Sequence, residues 1–297
     1  MPLTSAFNLL LLSAIWGGSF LFLRMGAPVL GPLWLIESRV SLAALFLLAV
    51  ALLLRRRLAL RQHWRHYLLL GGLNSALPFL LLAFAAQTLT VSLLSIVNAT
   101  SPLWGALVGA LWQREMPPRR ALLGLLLGAM GVALLVGLDR ITSEPGAAVA
   151  VAAALGAALC YGIASNYARH ASAVEPFNNA HGSMWAATLW LLPATLWLPL
   201  PAMPAPPVAI AVLLLGILCT GMAYLLYFRL VAEVGPTSAL TVTFLIPLFG
   251  VLWGWSLLDE QPGWHTLAGT LTILTGTALV TGFNPRTLWP VRSARHA

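Results

Sequence analysis

Nine stretches of this chain, each 18 to 22 residues long, contain no Asp, Glu, Lys or Arg: residues 5–23, 67–86, 91–112, 121–138, 147–168, 177–198, 208–228, 237–258 and 266–283. About 20 apolar residues in a helix cross the ~30 Å hydrocarbon core of a bilayer. A tenth stretch, 33–54, has the same length and carries two charges, Glu37 and Arg39. Hydrophobic residues make up 60% of the chain and charged ones 8%, against about 25% charged in ordinary soluble domains. No water-soluble core absorbs that much apolar side chain. Alternating ten-residue segments are absent, which argues against a membrane β-barrel. The implied fold is an all-α integral membrane protein of ten transmembrane helices. The first run lacks a basic leader, so it is read as a retained span rather than a signal peptide.

A shift of 145 positions lays residues 68–137 on 213–282 without a gap. Gly71, Pro102, Gly105, Gly109, Glu115, Pro117, Gly124, Gly131 and Gly137 then meet Gly216, Pro247, Gly250, Gly254, Glu260, Pro262, Gly269, Gly276 and Gly282. The chain thus reads as a duplicated five-span unit: a first repeat over 1–140, a second over 146–284, and a cytoplasmic tail over 285–297. Five is odd, so the second unit enters the membrane upside down relative to the first. Inverted repeats characterise secondary transporters, with the substrate held near the midplane between the repeats.

All 16 basic residues are arginines. Thirteen fall on the side holding both termini: Arg55, Arg56, Arg57, Arg61, Arg65, Arg114, Arg119, Arg120, Arg169, Arg229, Arg286, Arg292 and Arg295. Only Arg24 and Arg140 fall on the other. Cytoplasmic loops carry the basic excess, so both termini are expected in the cytoplasm. The formal charge of +8 is then a topological signal, not a nucleic-acid surface, with the run at 55–57 also placed to meet anionic lipid.

Pro102 in "SPLWG" and Pro247 in "IPLFG" interrupt spans four and nine. A proline removes a helical hydrogen bond, here to the carbonyls of Asn98 and Thr243. Paired interruptions in the two halves point to a transport site, and both prolines are candidates for gating; a kink closed by Ser or Thr side chains is the structural alternative. Near that depth lie "WGGSF" in span one (Trp16, Gly17, Gly18, Ser19, Phe20) and "CYGIASNY" in span six, with Tyr161. Span three adds Asn74, Pro78 and Phe79. Span eight adds Tyr224 and Tyr227, and spans four and nine add Asn98, Ser101, Trp104 and Phe244. Of these, Trp16, Ser19, Asn74, Pro78, Phe79, Asn98, Ser101, Trp104, Tyr161, Tyr224 and Phe244 are the candidate substrate-binding residues, with Gly17 and Gly18 as candidate hinges. Neutral polar groups among aromatic walls suit a zwitterionic or flat, partly apolar solute. Such a cavity holds almost no charge, so strongly cationic and anionic solutes should be rejected.

Charges at membrane depth mark function by default. Glu37 is a candidate coupling acid, and Arg39 is divided between locking helices and serving substrate or gate. His181 is a weaker candidate, and Glu115 and Glu260 are read as caps or gate contacts. Gly105/Gly109 and Gly250/Gly254 have the spacing of close helix packing. Cys160 and Cys219 are read as core residues. No motif for a metal, cofactor or catalytic centre stands out, which argues against a membrane enzyme.

Ten spans in two repeats, "WGGSF", Arg39, and the twin segments running from "SPLWG" to "ALLVG" and from "IPLFG" to "ALVTG" resemble the EamA-type drug/metabolite transporter superfamily. Within it, the chain resembles the bacterial YddG-type exporters of aromatic amino acids. The resemblance implies export of neutral, including aromatic, amino acids or related metabolites across the bacterial inner membrane by alternating access. A multidrug or nucleobase-type exporter of the same fold is the alternative. The second repeat departs from the first, with Met184 at the position of Arg39 and "CYGIASNY" in place of the tryptophan motif.

Overall fold

The computed structural model describes residues 3–138, 145–171, 174–199, 202–239 and 241–282. Residues 139–144, where the two repeats join, and the expected 285–297 tail lie outside the described residues. One helical stretch, Leu3–Leu53, is divided at Gly31, whose φ of 72° and ψ of 155° suit only glycine. Pro28 and Pro32 flank the break. Residues 3–30 form α1, longer than the expected 5–23, and residues 32–53 form α2. The chain continues through α3 (Leu60–Ala85), α4 (Val91–Gln113), α5 (Arg119–Leu138), α6 (Ala147–His170), α7 (Pro176–Leu196), α8 (Pro206–Gly235), α9 (Val242–Leu258) and α10 (Trp264–Thr281). A left-handed glycine, Gly235 (φ 80°), separates α8 from α9.

These helices pack as two inverted five-helix repeats, and glycines set the closest approaches. A Cβ on Gly17 of α1 would lie 2.7 Å from Phe249 Cβ and 3.1 Å from Gly250 N of α9. The contact recurs 145 positions on: a Cβ on Gly162 of α6 would lie 2.8 Å from Gly105 N of α4. Gly71 meets the Ser183 carbonyl of α7, and Gly216 meets the Arg39 carbonyl of α2. Between α5 and α10 the pattern closes on itself. Gly124 sits on the Gly276 carbonyl and Gly276 on the Gly124 carbonyl, while Gly131 and Gly269 do the same two turns away. Small residues let membrane helices approach closely where no hydrophobic force drives them together.

Two helices carry π-helical stretches at matching places: residues 72–76 in α3 and 214–222 in α8. In α3 the widened turn precedes Pro78. In α8 no proline follows the widened turn, and the Thr220 hydroxyl donates to the Leu215 carbonyl five residues back, at 2.8 Å. Widened turns of this kind recur at functional sites.

The prolines of α4 and α9 differ. The first half of α4 ends at Asn98, and a second helix, Ser101–Gln113, begins with Pro102 in its first turn. A proline there costs no helical bond. Pro247 instead lies inside the continuous helix Val242–Leu258.

Opposite ends of the bundle are tied by different means. On the arginine-rich face, His66 of α3 bridges Tyr167 Oη of α6 at 3.2 Å and Asn179 Oδ1 of α7 at 3.0 Å. On the other face, Arg24 donates to the carbonyls of Ala86 and Gln87, closing the end of α3. There too Glu260, at the end of α9, caps α4: it accepts from Val91 N at 2.6 Å, Ser92 N at 3.1 Å and Ser92 Oγ at 2.7 Å. Its repeat counterpart Glu115 is exposed to solvent on the arginine-rich face.

Candidate substrate site

The side chains that converge come from α1, α2, α3, α6 and α8. Arg39 of α2 is 5% exposed, and its guanidinium carbon lies 3.5 Å from the centre of the Phe79 ring of α3. Its Nε donates to Thr220 Oγ1 of α8 at 3.0 Å. The π stretch in α8 gives Thr220 this position, since the same hydroxyl spans the widened turn. Tyr161 of α6 and Cys219 and Tyr224 of α8 lie within electrostatic reach of the Arg39 charge. The Arg39 backbone carbonyl rests against Gly216, so a close α2–α8 contact fixes where the guanidinium emerges.

An aromatic wall runs outward from that charge. Tyr224 stacks on Phe228 at 6.0 Å between centroids, Phe228 meets Tyr227 at 6.0 Å, and Tyr227 meets Trp16 of α1 at 5.5 Å. Asn74 Nδ2 donates weakly to Tyr224 Oη at 3.4 Å. Trp16, Asn74, Tyr161, Tyr224 and Tyr227 keep part of their surface accessible although they lie within membrane spans. The arrangement offers one cation, aromatic faces and an amide. It can hold a solute with an anionic end and a flat or apolar body.

Several expectations change here. The site is not nearly uncharged, because the structure brings Arg39 into it. Ser19 is buried and donates to the Trp16 carbonyl at 2.6 Å, so its hydroxyl is spent within α1. The Asn98 carbonyl is not left open after Pro102: Ser101 Oγ donates to it at 2.6 Å. That is the Ser/Thr-closed kink weighed as the structural alternative. Gly17 and Gly18 lie within continuous helix, Gly17 packed on α9 and Gly18 facing the Trp253 indole at 3.7 Å.

Pro78 is buried behind Phe79 in α3. Trp104 packs its backbone and Cβ on Gly162, beside Tyr161. Phe244 is half-buried on α9. Asn98 Oδ1 is buried and accepts no hydrogen bond from the described residues. Glu37 accepts from Ser41 at 3.0 Å through one oxygen, and its other oxygen is buried without a partner among the described residues. It does not pair with Arg39. Residues i and i+2 point to opposite sides of a helix.

Thr220 and Phe228 were not anticipated. Thr220 carries a sequence signal, being a lone hydroxyl in the "LCTGM" segment of span eight, but its orientation depends on the π stretch.

The EamA-like transporter family matches residues 3–137 and again residues 148–282. The chain belongs to this family. It is 29% identical over 286 residues to an uncharacterized transporter of Archaeoglobus fulgidus, covering 90% of this chain and 93% of that one. It is 22% identical over 268 residues to the uncharacterized transporter YoaV of Bacillus subtilis, covering 88% and 91%. A crystal structure superposes with a TM-score of 0.67 over 96% of this chain and 99% of its own, at 18% identity, which shows a shared fold. This family member is therefore a multi-pass membrane transporter whose two matched halves are its two repeats.

Proposed function

We propose that this transporter exports neutral amino acids, aromatic ones included, or closely related metabolites across a bacterial inner membrane by alternating access. The observation that carries the reading is the wall of Trp16, Tyr227, Phe228 and Tyr224 ending at Arg39 and Asn74. An aromatic side chain stacks on such a wall with about 0.5–1.5 kcal/mol per ring pair, which gives modest discrimination among neutral side chains. A cationic side chain would enter beside Arg39 and be repelled. An acidic one would leave its second carboxylate desolvated among aromatic rings, at a cost of several kcal/mol.

The arginine-rich face is taken as cytoplasmic, with both termini there. Pseudo-symmetric contacts at α1/α9 and α4/α6 allow the halves to exchange conformations, one open to each side. Counterflow of labelled phenylalanine in proteoliposomes, challenged with the twenty amino acids, tests the reading. Neutral residues should compete, and Lys, Arg, Asp and Glu should compete poorly. Equal competition by all would exclude it. The aromatic wall also suits flat heterocyclic solutes, and competition by nucleobases but not by phenylalanine would favour that second reading.

A further inference from the structure

Arg39 is a buried cation without an anionic partner among the described residues. The ion pairs found among those residues are Arg56–Glu175 and Arg229–Glu233, both involving exposed side chains. Of the acidic residues, Glu37 alone lies within a span near Arg39, and its carboxylate is turned to Ser41. Glu115, Glu175, Glu233, Asp259 and Glu260 sit at helix ends on the two faces, and Asp139 and Glu144 lie outside the described residues. Thr220 takes the Nε proton, and Phe79 covers one face of the guanidinium. The Nη groups donate to no atom of the described residues, although they belong to a side chain that is 5% exposed.

A desolvated cation at membrane depth is costly, and one cation–π contact with one hydroxyl offsets only part of that. The remaining donors form a planar fork, which matches a carboxylate bidentately. The Gly216 contact fixes the Arg39 backbone on α2, and Tyr161 and Tyr224 of the cluster lie within electrostatic reach of the guanidinium.

We propose that Arg39 is the receptor for a carboxylate on the transported solute, so that the substrate class is monocarboxylates with an aromatic or apolar body. This rests on reading the cluster as the transport site. Amino acids belong to the class through their α-carboxylate, and the amine is dispensable. Arylalkanoates lacking it are substrates or competing ligands as well.

The test compares phenylalanine, 3-phenylpropanoate, phenylalanine amide and phenethylamine on the purified full chain. Binding is read by thermal shift and transport by counterflow. The two carboxylates should act at concentrations about tenfold or more below the amide and the amine, the scale of one charge-assisted pair. Arg39→Gln should abolish that preference, and Arg39→Lys should keep it with weaker binding. If phenylalanine amide matches phenylalanine, or neither carboxylate stabilises the protein, the proposal is wrong. A folded Arg39→Gln variant that still prefers carboxylates overturns it equally. Should Arg39→Gln fail to fold, the four-ligand series on the unaltered chain decides. Binding of 3-phenylpropanoate without phenylalanine flux would retain the carboxylate receptor and remove amino-acid export.

Discussion

Glu260 holds Ser92 twice, through its backbone amide at 3.1 Å and its hydroxyl at 2.7 Å, and so fastens the end of α9 to the start of α4. Glu115, the same position in the first repeat, is exposed. The contact that Glu260 makes at one face is thus not repeated by Glu115 at the other. Losing a cap of this kind costs about 0.5–2 kcal/mol. Glu260→Ala should loosen its face, where Met25 and Thr90 lie beside Glu260 around one surface cleft. In a background free of Cys160 and Cys219, a Met25→Cys reporter should react with an impermeant maleimide about fivefold faster after Glu260→Ala. Glu115→Ala should leave that rate unchanged and alter stability by less than ~0.5 kcal/mol. Equal effects of the two substitutions would contradict the asymmetry.

Adjacent glycines in α1 should respond in opposite ways. A methyl at Gly17 would lie 2.7 Å from Phe249 Cβ, whereas one at Gly18 meets nothing nearer than 3.7 Å. Gly17→Ala should destabilise by about 1–3 kcal/mol through overpacking. Gly18→Ala should be neutral or gain up to ~1 kcal/mol from helix propensity. Melting of the two variants in detergent separates packing from hinging, because hinge glycines would both resist substitution.

Thr220→Val keeps the shape of the side chain and removes its hydroxyl. Arg39 then loses its Nε partner, and the widened turn of α8 loses its bond to Leu215. Substrate affinity should fall about five- to tenfold, in line with one hydrogen bond to a charged group, while the variant remains folded. Unaltered counterflow would separate Thr220 from the site.

The two prolines should no longer behave alike. Pro247→Ala supplies the N–H missing from a continuous helix and should raise the melting temperature. Pro102→Ala, at a helix start already closed by Ser101, should change stability by under ~0.5 kcal/mol. If spans four and nine bend during transport, Pro247→Ala should slow flux while stabilising the protein. Normal flux in both variants would make the prolines tolerated breaks.

The ten spans and their duplication could be read from the sequence because length, charge exclusion and glycine offsets are independent of side-chain direction. Trp16, Asn74, Phe79, Tyr161 and Tyr224 could be placed at a common depth for the same reason. Their mutual orientation could not. Each π turn adds a residue to the ring and rotates the downstream side chains by about 100°, so a 3.6-residue period assigns the wrong face beyond residues 72–76 and 214–222. Arg39 could be assigned to span two but not to the cluster, because its contacts with Phe79 and Thr220 come from two other helices. The break after Asn98 was legible as a proline but not as a helix restart, because hydroxyl closure by Ser101 depends on geometry.

The glycine seam between α5 and α10 has reciprocal contacts, Gly124 on Gly276 and Gly276 on Gly124, with Gly131 and Gly269 repeating the exchange. Gly276 is the repeat counterpart of Gly131 and Gly269 that of Gly124, so each position meets the other's counterpart, as in the isologous interface that two identical subunits make across a two-fold axis. The covalent chain thus retains at its seam the contact that two separate five-span polypeptides, inserted in opposite directions, would use to pair. Fusion of such a pair into one chain fixes their stoichiometry and frees each half to diverge, as Arg39 and its counterpart Met184 have done.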